Sequence, residues 1–336
     1  MNMRDLLGTK LELRLGDPSE SEVERRTASN VPEKSPGRGV TRTKLHFLAA
    51  VSRLDGKRSA DDDLAEATAD LVRQIGTGWR GAPAPKVRLL PRLLPAADVA
   101  RLVPPSAAGI PIGLGEAQLA PVLLDLATEP HLIVFGDAEC GKTNLLRVIA
   151  RSIMERYTPG QARIGIADYR RGLLGAVDSG HLLEYWPTGQ ALAEAIPQLR
   201  EALNDRLPGP NVTPAQLRDR SWWRGPDLFL LVDDYDLVVT GSGNPLSPLL
   251  ELLPQARDIG LHLILTRRCG GVARALYEPV LQRLRELDTP GLLMSGSRDE
   301  GPVFGNLRPS PQPAGRGTLV RRRDGAQLIQ TAWIDP

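Results

Sequence analysis

The sequence predicts an α/β fold, a mostly parallel sheet with helices on both faces. Three observations carry that expectation. From Pro130 onward, short apolar runs alternate with longer segments of helical periodicity. That is the rhythm of strands buried on both faces and joined by crossover helices. One such strand runs into Gly136-Asp137-Ala138-Glu139-Cys140-Gly141-Lys142-Thr143, which satisfies G-x-x-x-x-G-K-[ST] throughout and opens a helix. A later run, Leu228–Val232, ends in two adjacent acids, Asp233 and Asp234. Sheets of this kind carry ligands beyond the carboxyl ends of their strands, where the loop and the acids both fall.

Composition narrows the function classes. The 336 residues give room for one large or two small domains, and 41% are apolar, enough for a sizeable core. The net charge of +2 comes from evenly mixed acids and bases, without the basic stripe of a nucleic-acid surface. Aromatics at 4% are too few for base-stacking platforms. Two cysteines, Cys140 and Cys269, do not make a disulfide framework. No apolar run reaches the length of a membrane span, and the first residues lack a secretory apolar region. A cytosolic, soluble chain is expected.

The elements follow in order. Leu11-Leu13-Leu15 alternates like a strand, Asp17-Pro18-Ser19 is a turn cluster, and Leu45–Val51 is a second strand-like run. The end of the chain repeats this layout. There Leu292-Leu293-Met294 leads to Ser297-Arg298-Asp299, then to a Pro-rich loop and a final strand pattern. Gly37-Arg38-Gly39 and Gly315-Arg316-Gly317 occupy matching places. Either these are two unrelated Gly/Pro loops, or residues 1–55 are the closing strands of a preceding domain of the same type. Residues 56–105 read as a linker. Leu64, Ala67, Leu71, Val72 and Ile75 mark an amphipathic helix, with Asp61, Asp62 and Asp63 at its positive end. The stretch "GAPAPKVRLLPRLLP" that follows reads as extended. The main domain is 106–336. It opens with two strands joined by a Gly-Glu turn, then alternates: strand Leu132–Phe135, helix Asn144–Tyr157, strand Ile164–Ala167, helix Gln190–Arg206, strand Leu228–Val232, helix Leu246–Gln255, strand Leu261–Thr266.

The chemistry is read from the loop outward. Its glycines let the backbone turn N–H groups inward, where they and the helix N-terminus hold phosphate oxygens. Lys142 would reach the outer phosphates and Thr143 would place its hydroxyl on Mg²⁺. Asp233, on a strand expected beside the loop strand, would hold Mg²⁺ through its water shell. Asp234 stands where a glutamate often polarises the attacking water. It is one methylene shorter, and a misplacement of about 1 Å can cost roughly a hundredfold. Thr266 lies where such folds place a γ-phosphate sensor. Arg267 or Arg268 could be a charge clamp, in this pocket or in a neighbour's, or a surface arginine. Asp168-Tyr169-Arg170-Arg171 ends another strand and could line the site. Glu139 is expected to face solvent and Cys140 to fill space, since no histidine partner for a thiol is evident. Trp222 and Trp223 are either packing residues or a partner surface.

The segments "PHLIVFGDAECGKTNLLR", "FLLVDDYD", "GLHLILTRR" and "PAGRGTLVRRRDG" resemble FtsK/SpoIIIE-type ATPases, and within them the EccC ATPase of type VII secretion. The resemblance spans essentially the whole chain. It implies a RecA-like P-loop NTPase fold and a third, C-terminal ATPase domain preceded by the tail of the second. It implies ATP and Mg²⁺ as ligands. Gly136, Asp137, Ala138, Glu139, Cys140, Gly141, Lys142, Thr143 and Asn144 would lie on the nucleotide, Thr143 and Asp233 on the metal, and Asp234, Thr266 and Arg267 at the reacting phosphate. EccC-like proteins export helical-hairpin (WXG-type) heterodimers. Their last ATPase domain binds the C-terminal tail of the substrate in an apolar pocket, and their later domains hold nucleotide tightly but turn it over poorly. The implied partners are those substrates, other EccC domains or subunits, and the membrane secretion complex. The implied location is the cytoplasmic side of the inner membrane.

The departures matter. Glu139-Cys140 replaces the usual Gly/Ser loop interior, Asp234 the usual glutamate, and Asp168-Tyr169-Arg170 the usual Asp-Pro-Lys. Strong intrinsic hydrolysis is therefore not expected. No winged-helix tail follows, so DNA pumping is disfavoured and no nucleic-acid partner is expected. Two rivals stand beside this reading: a fully active ATPase or DNA translocase, and a nucleotide-independent docking scaffold. Leu246–Leu253 and the Trp222-Trp223 pair are the segments offered for the tail pocket.

Overall fold

A computed structural model describes residues 9–57, 62–85, 87–104, 106–241 and 243–335. The chain divides into two compact units, Met1–Lys86 and Val87–Pro336.

The first unit holds strand β1 (Leu11–Leu13), helix α1 (Arg25–Ser29), strands β2 (Arg38–Thr41) and β3 (His46–Leu48), and helix α2 (Leu64–Gly78). The strands pair antiparallel in the order β1-β2-β3. The helix expected from Leu64, Leu71 and Ile75 forms. Asp61 lies outside the described residues. Asp63 does not cap the helix with its side chain but pairs with Arg53 at 2.9 Å and with Lys57 at 2.6 Å.

The second unit contains α3 (Ala96–Leu102), β4 (Ile110–Gly115), β5 (Pro121–Leu124), β6 (Leu132–Phe135), α4 (Lys142–Arg156), β7 (Ala162–Ala167), β8 (Leu182–Trp186), α5 (Gly189–Asn204), α6 (Pro214–Asp219), β9 (Asp227–Val232), α7 (Tyr235–Val238), α8 (Ala256–Ile259), β10 (Leu261–Arg267), α9 (Val272–Ala275), α10 (Pro279–Glu286), β11 (Gly291–Leu293), β12 (Arg316–Arg321) and β13 (Gly325–Thr331). One ten-stranded sheet runs β5-β4-β13-β12-β11-β6-β10-β9-β7-β8. From β11 through β8 every pair is parallel. From β11 to β5 every pair is antiparallel. The fold is the RecA-like α/β arrangement expected from the alternating rhythm.

Side-chain alternation along the strands builds two cores. Ile133, Phe135, Leu230, Val232, Leu263 and Leu265 face a layer that includes α5, α8 and α10. Leu132, Val134, Phe229, Leu231 and Ile264 face α4. Successive residues of a strand point to opposite faces, so a strand buried on both sides must be apolar throughout. The sequence of β6, Leu-Ile-Val-Phe, meets that demand.

Two sequence expectations are corrected. The segment Leu246–Gln255 is not one helix. Pro248 and Pro254 interrupt the amide ladder and leave two 3-10 turns, Ser247–Leu249 and Leu253–Gln255. The strand ending in the two acids does not adjoin the loop strand, because β10 lies between β6 and β9. The Pro-rich stretch before Ala96 is anchored at two leucines, while Leu93 between them is exposed. Leu90 and Leu94 are buried, and Arg316 donates to the carbonyls of Leu90 and Pro91 at 2.9 Å each.

The two similar segments adopt similar structures. Each runs strand, capped 3-10 turn, left-handed glycine, strand, strand, with helix α1 added between turn and glycine in the first segment only. Asp17 accepts from the Ser19 amide before the turn Pro18–Glu20, and Ser297 accepts from the Asp299 amide before the turn Arg298–Glu300. Gly37 and Gly315 have φ of 80° and 75°, a region that suits glycine. β2 pairs antiparallel with β1 and β3, as β12 does with β11 and β13.

Candidate nucleotide-binding site

The loop after β6 bends into α4 through Gly141, whose φ of 105° is open to glycine. A β-carbon there would also come 3.2 Å from the amide nitrogen of Gly315. That amide donates to the Cys140 carbonyl at 2.8 Å, so the loop before β12 backs the phosphate-binding loop. Lys142 is buried and donates its ammonium to the Asp137 carbonyl at 2.8 Å. Asp137 gives its amide to the Ser295 carbonyl at 2.8 Å. Glu139 is exposed, with a left-handed φ of 60°.

Three strand ends converge next to the loop. The Thr143 hydroxyl donates to one Asp233 oxygen at 2.6 Å, and the Thr266 hydroxyl donates to the other at 2.6 Å. Thr266 in turn accepts from the Asp234 amide at 3.0 Å. The insertion of β10 explains this. Thr266 at its tip sits between the loop and the acids and can touch both. Burial pushes the Asp233 carboxyl up from its ordinary value, while the two hydroxyl hydrogen bonds pull the other way. Hard oxygen donors of this kind suit Mg²⁺, which is held through few carboxylates and several waters. The donor set therefore fits a Mg²⁺-nucleotide, with Thr143 and Asp233 as the residues that would hold the metal.

Asp234 has a left-handed φ of 46°, uncommon for a residue with a side chain. Its carboxylate is largely buried and pairs with Arg170 Nε at 2.8 Å. Arg170 follows Asp168 at the tip of β7. Asp168 is buried and takes hydrogen bonds from the amides of Arg170 at 3.1 Å and Leu173 at 2.6 Å, and from the Tyr185 hydroxyl at 2.9 Å. The turn after β7 also brings Gly172 against the Thr143 methyl, which a β-carbon at 172 would approach to 2.9 Å. The Asp168-Tyr169-Arg170-Arg171 run was the available signal for this side of the site. Its position at a strand end marked it, but nothing in the sequence showed that Arg170 reaches Asp234.

Other expected site residues go elsewhere. Asn144 turns its amide away from the loop. It donates to the Ala332 carbonyl at 2.9 Å and accepts from the Ile334 amide at 3.1 Å, tying α4 to the C-terminal segment. Arg267 is not brought to the carboxylates. It donates to the carbonyls of Arg268 and Gly270 at 2.6 and 3.2 Å and lines a cleft with Tyr235, Val239, Arg274 and Glu278. Cys140 is buried beside Met294 and its thiol is pushed up by burial, while burial pushes Cys269 up to about 12. Neither is poised as a thiolate. Leu246, Leu249, Leu252 and Leu253 are buried in the core, so they do not offer an open pocket. Trp222 and Trp223 donate their indole N–H groups to the carbonyls of Arg206 and Asp258, and Arg206 stacks 4.4 Å over the Trp223 ring. They sit before β9, at the strand end opposite the loop.

The loop, the carboxylate strand and the polar tip between them define a P-loop ATPase fold. The FtsK/SpoIIIE family model matches residues 105–204. The ESX secretion system protein EccC of Thermomonospora curvata is 55% identical over 99% of the chain, which spans 25% of that protein's length. EccC4 of the ESX-4 secretion system of Mycobacterium tuberculosis is 46% identical over all of it, and the chain spans 26% of that protein. A solved structure of T. curvata EccC, ATPases 2 and 3 in complex with a signal sequence peptide, is 54% identical with a TM-score of 0.84. It covers 99% of this chain, which covers 60% of it. The chain belongs to the FtsK/SpoIIIE family, among the EccC ATPases of type VII secretion. No helix among the described residues is long and apolar enough to cross a membrane.

Proposed function

We propose that this chain is an ATP-holding, substrate-recognising end of a type VII secretion motor. Residues 106–336 form its C-terminal ATPase domain, 56–105 a linker, and 1–55 the closing strands of a preceding ATPase domain. The last assignment is supported by the recurrence of the antiparallel order β11-β12-β13 as β1-β2-β3, each with a capped 3-10 turn after its first strand. Secretion through a membrane complex would place the chain on the cytoplasmic face of that membrane.

The observation that carries the recognition reading is the 54% identity to a relative solved with a signal sequence peptide. Here the peptide would be the C-terminal tail of a helical-hairpin substrate. The cleft between α7, α9 and α10 suits such a tail. Val239, Ala275 and Leu281 give it an apolar floor, and Arg267 and Arg274 put two cations at hand for a terminal carboxylate. The cleft also touches Tyr235, the residue after Asp234, so its occupant and the nucleotide site share one short helix.

Nucleotide would be held by the amides of the loop and by Lys142 once its ammonium leaves Asp137. Thr143 and Asp233 would hold Mg²⁺, which when bound neutralises charge on phosphate oxygens. Thr266 keeps Asp233 and Asp234 in register. Weak turnover is supported by the short side chain of Asp234 on a left-handed backbone. Both leave little freedom to bring a carboxylate oxygen to an attacking water.

Titrating a labelled C-terminal tail peptide of a WXG-type substrate into the chain tests this reading by fluorescence anisotropy, with phosphate release followed in parallel. Saturable binding without a change in release is expected, and Arg274→Glu should weaken it. No binding at any concentration would rule the recognition role out.

A further inference from the structure

The ion pair between Arg170 and Asp234 engages the carboxylate that would otherwise be offered to an attacking water. The Asp234 backbone is held in place by the hydrogen bond its amide donates to the Thr266 hydroxyl and by its left-handed turn. Its side chain therefore has few alternative positions. Asp234 Oδ2 lies 2.8 Å from Arg170 Nε. A carboxylate that accepts a charge-assisted hydrogen bond is a poorer acceptor for a second donor on that oxygen, and it is held in the direction of its partner. Arg170 is itself set by Asp168, whose oxygens bind the amides on either side of the turn. The Arg170 side chain is half exposed, so it can leave Asp234 without a buried cation being stranded.

We propose that Arg170 is a releasable lock on Asp234: while paired, it keeps the carboxylate from orienting water, and its withdrawal raises ATP turnover at this site. This rests on the reading of weak intrinsic hydrolysis above. Arg170 is a positioning residue, acting through Asp234 and not on nucleotide. A domain, subunit or tail that offered Arg170 another acid would release the lock.

The test uses the whole chain with Mg²⁺ and ATP. R170A is expected to raise kcat roughly tenfold, less than the roughly 10²–10⁴-fold that a fully positioned general base supplies, with KM little changed. R170K, which keeps the cation, should rise less. D234N should remove turnover, and R170A placed on D234N should restore none of it. R170Q, close in size to arginine, repeats the measurement if R170A loses the fold. An unchanged or lower kcat in both variants overturns the lock. So does a rise that persists on D234N, since the effect would then bypass Asp234. A slow wild type that R170A fails to speed sinks the lock alone. A brisk wild type that R170A fails to speed sinks the lock and the weak-hydrolysis reading together.

Discussion

Two titratable groups illustrate how single residues set the behaviour of the site and of the fold. Asp233 can be buried as a carboxylate because two hydroxyls, Thr143 and Thr266, meet its two oxygens. Both hydroxyl positions were legible, one as the end of the phosphate-loop motif and one as the polar tip of an apolar strand. Their joint hold on Asp233 was not, because it depends on β10 lying between β6 and β9. His131 is the second case. Its Nδ1 accepts from the Leu263 amide at 3.0 Å, which requires a neutral ring. Burial pulls its pKa down to about 3. In the unfolded chain the ordinary value near 6.5 applies. The stability it contributes is therefore whole above pH 6.5 and lost as pH falls below it. At about 1.4 kcal/mol per pH unit, moving from pH 6.5 to 5 should remove about 2 kcal/mol. Urea unfolding at both pH values should show that loss, and His131→Gln should reduce the slope. A slope the substitution leaves unchanged would assign the loss to other groups.

Elements were more readable than their junctions. β6 is apolar from end to end, β9 and β10 have apolar centres at Leu228–Val232 and Leu263–Leu265, and α4 follows from the loop that opens it. β8 escaped because it is an edge strand: Leu183 and Glu184 face out, and the run Leu-Leu-Glu-Tyr-Trp lacks a buried strand's continuity. The 3-10 turns around Pro248 and Pro254 looked helical because their leucines recur at helical spacing. Proline at 248 and 254 outweighs that periodicity. Asn144 shows the same limit within a helix. Its place beside Lys142 and Thr143 pointed to nucleotide, while its amide in fact fastens α4 to Ala332 and Ile334. Asn144→Ala should thus cost about 1–3 kcal/mol of stability, the usual effect of leaving buried backbone groups unpaired. Nucleotide affinity should stay near wild type. Calorimetry for the first and fluorescent-nucleotide titration for the second would separate these. Lost affinity with unchanged stability would return Asn144 to the nucleotide.

At the scale of the whole molecule, the two units repeat one antiparallel motif, and only the second carries the phosphate loop. The central proposal is that this second unit holds ATP more than it consumes it. The most direct measurement is the nucleotide content of the purified chain, released by denaturation and identified by chromatography, with phosphate release from added ATP followed alongside. Near-stoichiometric intact ATP, slow release, and loss of the bound nucleotide in Lys142→Ala are the expected results. Brisk phosphate release abolished by Lys142→Ala would contradict the proposal, and would make Asp234 a working water-orienting carboxylate in a true motor.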